Sequence, residues 1–262
     1  MDKTTLGDRM KNNYENITRY YLTRRMPVII RLDGRSFHTF TRGFKKPFDD
    51  ILIKTMQDTM KYLCENIQGC VLGYTQSDEI SLVLTDYAGL TTDAWFGNNL
   101  QKMCSVSASM ATVAFNKFFY DNIPAEGENS GTYYKALEKG AMFDSRVFTI
   151  PKEEVCNYLI WRQQDATRNS IQSVGQANFS QKELHGKSCS DIQDMLMTQK
   201  GINWNDYTTT LKRGSCCIKI DDSLTEYDEV KNISDYIQRS KWVIDDEIPI
   251  FTKYINYVEK LI

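Results

Sequence analysis

The sequence predicts an α+β fold, an antiparallel sheet flanked by helices with a C-terminal α/β extension. Three observations predict it: an alternating run at residues 27–33, two strand-forming runs that meet at a polar tip within 69–84, and helix-period segments after each. In the first run Val28, Ile30 and Leu32 fall on one face and Ile29, Arg31 and Asp33 on the other, as in a half-buried strand ending on a carboxylate. Gly34 then permits an abrupt change of direction. From about Asp49, the positions Leu52, Met56, Thr59, Met60, Leu63 and Ile67 recur at helical spacing, so a helix packs back on the sheet. In "GCVLGYTQSDEISLVL" a hairpin turns near Gln76, Ser77 and Asp78. On its return strand Ile80, Leu82 and Leu84 share the core face, and Glu79 and Ser81 share the opposite, polar face.

Residues 98–119 read as a helix with Leu100, Met103, Ser107, Met110, Ala114 and Phe118 on one stripe, and its small run SVSASMAT allows close approach to the sheet. "GENSGTYY" reads as a loop, followed by a helix at 134–139 and a strand near Ser145–Ile150. Pro151 suits a first helical turn, and Val155, Tyr158, Leu159, Trp161 and Arg162 carry that helix toward Asp165, with Trp161 assigned to the core. Ser180 and Glu183 have capping-box spacing, "SCCIKI" reads as a strand and "NYVEKLI" as a closing helix. Without a repeat, a low-complexity tract or a long Pro/Gly linker, a single structural domain is expected. Residues 1–150 form its core with a basic N-terminal segment, and 151–262 pack on it.

A hydrophobic share of 41% against 25% charged residues is globular composition, which excludes a disordered chain. No run approaches the roughly 18 consecutive apolar residues of a membrane span, and the opening residues mix charges instead of leading into an apolar signal core, so a cytoplasmic protein is expected. Seven cysteines form no CxxC pair, and only His38 and His185 are available beside them, which argues against a zinc site and for reduced thiols. The net charge of −2 hides an asymmetry. Residues 19–46 carry eight basic side chains against the single acid Asp33, whereas 221–247 carry nine acids against three bases, so only the first region should attract polyanions.

Asp33 and Asp78 are 45 residues apart, one at a strand end and one at a hairpin tip, on elements that can lie side by side. Two carboxylates among basic groups suit Mg²⁺, which takes oxygen ligands and is commonly completed by substrate phosphates. Each acid taken singly also reads as an ordinary turn residue.

"RLDGRSFHTF" with "FKKPFD", then "GYTQSDEISLVL", "FDSRVFTIP" and "YLIWRQQDA", in that order and spacing, resemble the tRNA-His guanylyltransferase family and its Thg1-like relatives. The likeness runs from about residue 27 to 165 and more loosely to "LKRG" at 211–214. It implies a polymerase-palm-like catalytic core that adds nucleotides to the 5′ end of tRNA in the 3′-to-5′ direction. By this resemblance Asp33, Asp78 and the carbonyl of Gly34 would hold two Mg²⁺ ions, with Glu79 assisting catalysis. Gly34, Arg35, Ser36, Phe37 and His38 would line a nucleotide site, and Lys46 and Ser77 would contact a triphosphate. Arg31, Lys102, Arg146, Arg24 and Arg25 would meet RNA or triphosphate. The family mechanism implies ATP and GTP or other NTPs as substrates and a homotetramer as the assembly.

Eukaryotic members carry an HINNLYN motif where this chain has "RQQDATRNSIQSVG", with Thr167 at the histidine position. That departure ranks template-directed repair of truncated tRNA 5′ ends ahead of untemplated G addition to tRNA-His. A noncatalytic tRNA-binding module would be marked by loss of a metal ligand, and a nucleotide cyclase by lack of the "FDSR" and "WRQ" segments. His185 reads as a surface residue, and Arg162 as either a solvated contact or the partner of a buried acid.

Overall fold

The computed structural model describes residues 5–125, 130–222, 224–228, 233–237 and 239–262. A short helix α1 (Leu6–Met10) continues through irregular helical turns to Thr18 and buries none of its residues. Strand β1 (Val28–Gly34) leads into the one-turn helix α2 (Phe37–Phe40) and then α3 (Asp50–Asn66), whose start is fixed by the Asp49 carboxylate accepting from the Leu52 N–H. The hairpin β2 (Cys70–Gln76) and β3 (Glu79–Leu84) follows, then α4 (Leu100–Asn122), α5 (Ser130–Lys139) and β4 (Phe143–Thr149). Beyond these come α6 (Lys152–Asn178), α7 (Gln181–Leu184), α8 (Cys189–Met195), α9 (Thr209–Arg213) and β5 (Ser215–Asp221). Strands β6 (Leu224–Asp228), β7 (Ile233–Ile237) and β8 (Ser240–Asp245) and helix α10 (Asn256–Glu259) close the chain.

Six strands form one antiparallel sheet in the order β4-β1-β3-β2-β5-β8, and β6 and β7 form a separate hairpin. Val28, Ile30 and Leu32 face α3 and α4 in a core with Met60, Leu63, Phe115 and Phe119. Ile29, Leu72, Tyr74 and Val83 face the other way, against Val155 and Leu159 of α6 and Phe251. Both faces of β1 are therefore covered, where the alternation suggested one open face. A third cluster of Ile171, Val174, Ile192, Leu196 and Trp204 packs the distal half of α6 against α8 and the residues after it.

Other expectations shift in detail. The buried stripe of α4 ends on Phe115 and Phe119 instead of Phe118, and these two rings meet Phe37 and Phe40. Ser130–Tyr134, expected as loop, begins α5, which buries Tyr133 and Ala136; the rest of that expected loop, 127–129, lies outside the described residues. Helix α6 runs well past Asp165. The Ser180–Glu183 capping box forms as spaced, and a second one joins Ser188 to Asp191. The side chains of the acid-rich stretch from 223 to 238 lie outside the described residues. All seven cysteines are free. No helix among the described residues is long and apolar enough to cross a membrane.

Candidate active site

The register of the sheet brings the two acids singled out in the sequence to one end of it. Asp33 sits opposite Glu79 on β3 and opposite Asp144 on β4. Asp78 lies in the two-residue turn between β2 and β3, where Ser77 adopts φ +51°. The Gly34 N–H donates to the Asp78 carbonyl at 3.0 Å, which ties the end of β1 to the hairpin tip. The Ser77 hydroxyl donates to Oδ1 of Asp78 at 3.0 Å. Burial pushes the Asp78 carboxyl above its ordinary pKa and the nearby Asp33 charge acts in the same sense, while the Ser77 hydrogen bond opposes them. Arg146, on the edge strand, spans Asp33 at 3.4 Å and Asp144 at 3.3 Å.

Gly34 is required for a different reason than the turn expected of it. Its φ is not positive, and the left-handed residue is Ser36, at φ +55°. A Cβ on Gly34 would lie 2.2 Å from a ring carbon of Phe37. That ring, expected at a nucleotide, packs between Phe40, Phe115 and Phe143 at centroid distances of 5.2–5.4 Å and also lines the cavity beside the acids. Phe37 thus anchors the loop to the core while Gly34, Ser36 and His38 line the cavity with it.

Beside the acids opens a cavity of about 490 Å³, lined on its near wall by Gly34, Ser36, His38, Lys45, Lys46, Ser77 and Asp78. Six of these seven were expected; Lys45, which also reaches Asp50 at 3.2 Å, was not. Arg35 is exposed and does not line the cavity; its N–H donates to the Met142 carbonyl at 2.8 Å. The far wall was missed entirely. Asn169, Ser170 and Ser173 come from α6, and Thr210, Lys212, Arg213 and Gly214 from the α9–β5 junction. The usable signal was the basic pair before Gly214 in "LKRG". Gly214, at φ +81°, allows a backbone approach in which a Cβ would meet the Thr75 carbonyl oxygen at 2.3 Å. Lys212 donates to the Asn205 carbonyl at 2.6 Å, and burial, then the neighbouring Arg213, lowers its pKa.

Glu79 and Arg31 are committed to a different structure under α6. Nε and Nη2 of Arg31 donate to Oε2 of Glu79 at 2.9 and 2.8 Å, and Arg162 reaches the same oxygen at 3.2 Å. Arg162, only 3% exposed, also binds Asp165 at 2.8 Å, and Asp165 binds Arg168. Burial pushes the Glu79 carboxyl up, and Arg162 and Arg31 pull it back. Close by, the Tyr158 hydroxyl and Ser81 share a 2.7 Å hydrogen bond, and burial pushes that phenol up to about 12. Arg31 thus gives two of its donors to an internal partner and stays partly exposed. Trp161, expected in the core, is 52% exposed and packs its ring on Arg162 at 3.9 Å.

Arg24 and Arg25 lie at the opposite end of β1. Nε of Arg24 binds the buried carboxylate of Asp86 at 2.6 Å, and the Arg25 N–H donates to the same carboxylate at 2.8 Å. They hold the loop after β3, about 20 Å along the strand from Asp33 by the usual rise per residue. Lys102, in the first turn of α4, lies over the Phe96 ring at 5.2 Å. His185 lies beyond α7, far along the chain from the acids.

The model of the tRNAHis guanylyltransferase family matches residues 7–151, more than half of the chain. The chain belongs to the tRNAHis guanylyltransferase family. Among solved structures of this family, a bacterial tRNA(His) guanylyltransferase (Thg1)-like protein in complex with ATP is 47% identical, with a TM-score of 0.81 over 98% of each chain. The same kind of bacterial protein in complex with GTP is 44% identical, with a TM-score of 0.78 over 98% of this chain and 99% of that one. The tRNA(His) guanylyltransferase of Debaryomyces hansenii is 25% identical over 233 residues, 84% of this chain and 81% of that one. The six-stranded antiparallel sheet with its flanking helices is the palm-like fold of this guanylyltransferase family.

The donor set at the acid edge fits a hard divalent cation in part. Asp33, Asp78 and the Gly34 carbonyl are oxygen donors of the type Mg²⁺ prefers. Among the described residues no three Asp, Glu, His or Cys side chains converge as a metal cage. A cation here would need phosphate and water to complete its shell, as Mg²⁺ usually does in nucleotide sites.

Proposed function

We propose that this protein is a nucleotidyltransferase that extends truncated tRNA at the 5′ end in the 3′-to-5′ direction, copying the opposite strand. The observation that carries this reading is the cavity beside Asp33 and Asp78, basic on both walls through Lys45, Lys46, Lys212 and Arg213. Nearly full-length likeness to bacterial proteins bound to ATP and GTP supports it. In the first step an oxygen of the RNA 5′ monophosphate attacks the α-phosphorus of ATP and pyrophosphate leaves. In the second the 3′-hydroxyl of an incoming NTP attacks the adenylylated 5′ phosphorus and AMP leaves. Both are in-line displacements at phosphorus, where positioning and charge neutralisation carry the catalysis and no protein nucleophile is needed.

Two Mg²⁺ ions held by Asp33, Asp78 and the Gly34 carbonyl would supply the charge that stabilises the attacking and leaving oxygens. Lys46 and Ser77 orient the triphosphate at the near wall, with Ser36 and His38 beside the nucleoside. Lys212 and Arg213 neutralise phosphate charge from the far wall. Glu79, clamped by two arginines, holds the β3 end of the acid edge rigid. A homotetramer in the cytoplasm belongs to the same reading.

Addition of G to tRNA-His alone is the second reading, drawn from the names of the curated relatives. Higher identity to the bacterial Thg1-like proteins, and Thr167 half-buried on α6 where the eukaryotic motif begins, favour repair. The test uses 5′-monophosphorylated tRNA lacking its first nucleotide, with Mg²⁺, ATP and all four NTPs, and each base in turn at the opposing position. Extension by the complementary nucleotide every time is expected. Extension by G alone on tRNA-His would replace repair with the second reading, and no extension would refute both.

A further inference from the structure

Trp161 is the one aromatic of the sheet-facing half of α6 that is not buried, and its surroundings are unusual for an exposed side chain. Its indole covers the guanidinium of Arg162, which lies 3.9 Å from the ring centroid and is itself only 3% exposed. The Arg31 guanidinium also lies over the ring, at 5.6 Å, and about half of the residue's surface stays open to solvent. Tyr158 holds the indole edge-on at 5.9 Å, so the ring is braced as well as open. Arg31, at 5.6 Å from the ring, stands opposite Arg146 in the β1–β4 register, and Arg146 reaches Asp33 at 3.4 Å. Among the described residues β4 is the edge strand on this side of the sheet, next to the acid-bearing β1. Trp161 is not among the residues that line the cavity beside Asp78.

We propose that Trp161 is the stacking platform for the terminal nucleobase at the RNA 5′ end, with Arg146 drawing in the adjoining phosphate. The inference rests on the reading of this edge as the site of 5′-end addition. Nucleobases stack on exposed, rigid aromatic rings, and a guanidinium packed on the inner face adds to the ring's hold on a base. An exposed ring outside the cavity of about 490 Å³ suits the end of a long polymer, whereas the cavity is of the size that takes a small ligand. A free nucleotide's base offers the same π-face, so the test has to separate polymer from monomer.

Trp161→Leu keeps apolar cover over Arg162 and removes the aromatic ring, and Trp161→Phe restores a ring. The readouts are the KM for 5′-monophosphorylated truncated tRNA, the KM for ATP, the adenylylation rate at saturating tRNA, and the anisotropy of labelled tRNA without ATP. For Trp161→Leu the tRNA KM and the dissociation constant are expected to rise about 5- to 100-fold. Its ATP KM and saturated rate should stay within about twofold of wild type, and Trp161→Phe should recover most of the loss. Unchanged tRNA binding by Trp161→Leu, an equal rise in both KM values, or a Phe variant as impaired as the Leu variant would each overturn the platform. A wild-type protein that binds tRNA without adenylylating it would overturn the assigned reaction instead, and the anisotropy of the two variants would still decide the platform.

Discussion

Replacing Gly34 with alanine should unfold the protein more readily through Phe37, and the structure permits the cost to be worked out. The added methyl would lie 2.2, 2.5 and 2.7 Å from three carbons of the Phe37 ring, each closer than van der Waals contact allows. The ring has nowhere to go, because Phe40, Phe115 and Phe143 enclose it. Overpacking a filled core costs about 1–3 kcal/mol, and three simultaneous clashes against a fixed ring place Gly34→Ala near the top of that range. Phe37→Leu alone should cost roughly 1–2 kcal/mol by loss of buried area and residual cavity. In the double variant the shorter leucine makes room for the methyl. The pair should then be less destabilised than the sum of the singles by about 1–2 kcal/mol. Urea unfolding followed by circular dichroism measures all three, independently of any catalytic consequence of changing Gly34. A Gly34→Ala variant within 0.5 kcal/mol of wild type, or strictly additive singles (on the order of the cycle's error), would refute the steric account.

Asp33→Asn and Asp78→Asn should each abolish transfer of label from ATP to the RNA 5′ end while leaving the circular dichroism spectrum intact; retained transfer by either would remove that residue from the metal site. Arg162→Leu should destabilise by about 3–5 kcal/mol because Glu79 and Asp165 lose a buried partner, and adding Glu79→Gln should recover part of that. Denaturant titration of the single and double variants checks it. Arg24→Ala should cost about 1–3 kcal/mol through the buried Asp86 carboxylate it leaves underpaired, with no change in the KM for ATP or tRNA. A rise in either KM would return Arg24 to the binding surface.

Much of the acid edge was legible because it is local. Alternation placed Asp33 at the end of β1, the polar tip placed Asp78 in a turn, and the helical spacing from about Asp49 placed the start of α3. What escaped depends on partners distant in sequence. Arg31 shares a strand face with Asp33 and so looked free to meet phosphate, yet Glu79 of the neighbouring strand β3 takes its donors, and the helix over that face brings Arg162 to the same carboxylate. Trp161 sits at a helical position that reads as core, but its indole lies half exposed over the Arg162 guanidinium. Residues 166–178 are too polar and small to announce a helix by period. They hold one because Ile171 and Val174 find Ile192, Leu196 and Trp204, which no local pattern could reveal. Thus the far wall of the cavity, built on that stretch, went unread.

Helix α6 also works as a ruler. Its 27 residues span about 40 Å, and its two halves are pinned to different cores, the sheet at Val155 and Leu159 and the distal cluster at Ile171 and Val174. Arg162, under the acid edge, and Asn169, in the cavity wall, are thereby held about two turns apart on a rod that cannot stretch. One inserted residue between them would swing everything downstream by about 100° and pull one core or the other out of register. The chain can vary the side chains at either position, but the separation between the two is set by backbone geometry alone.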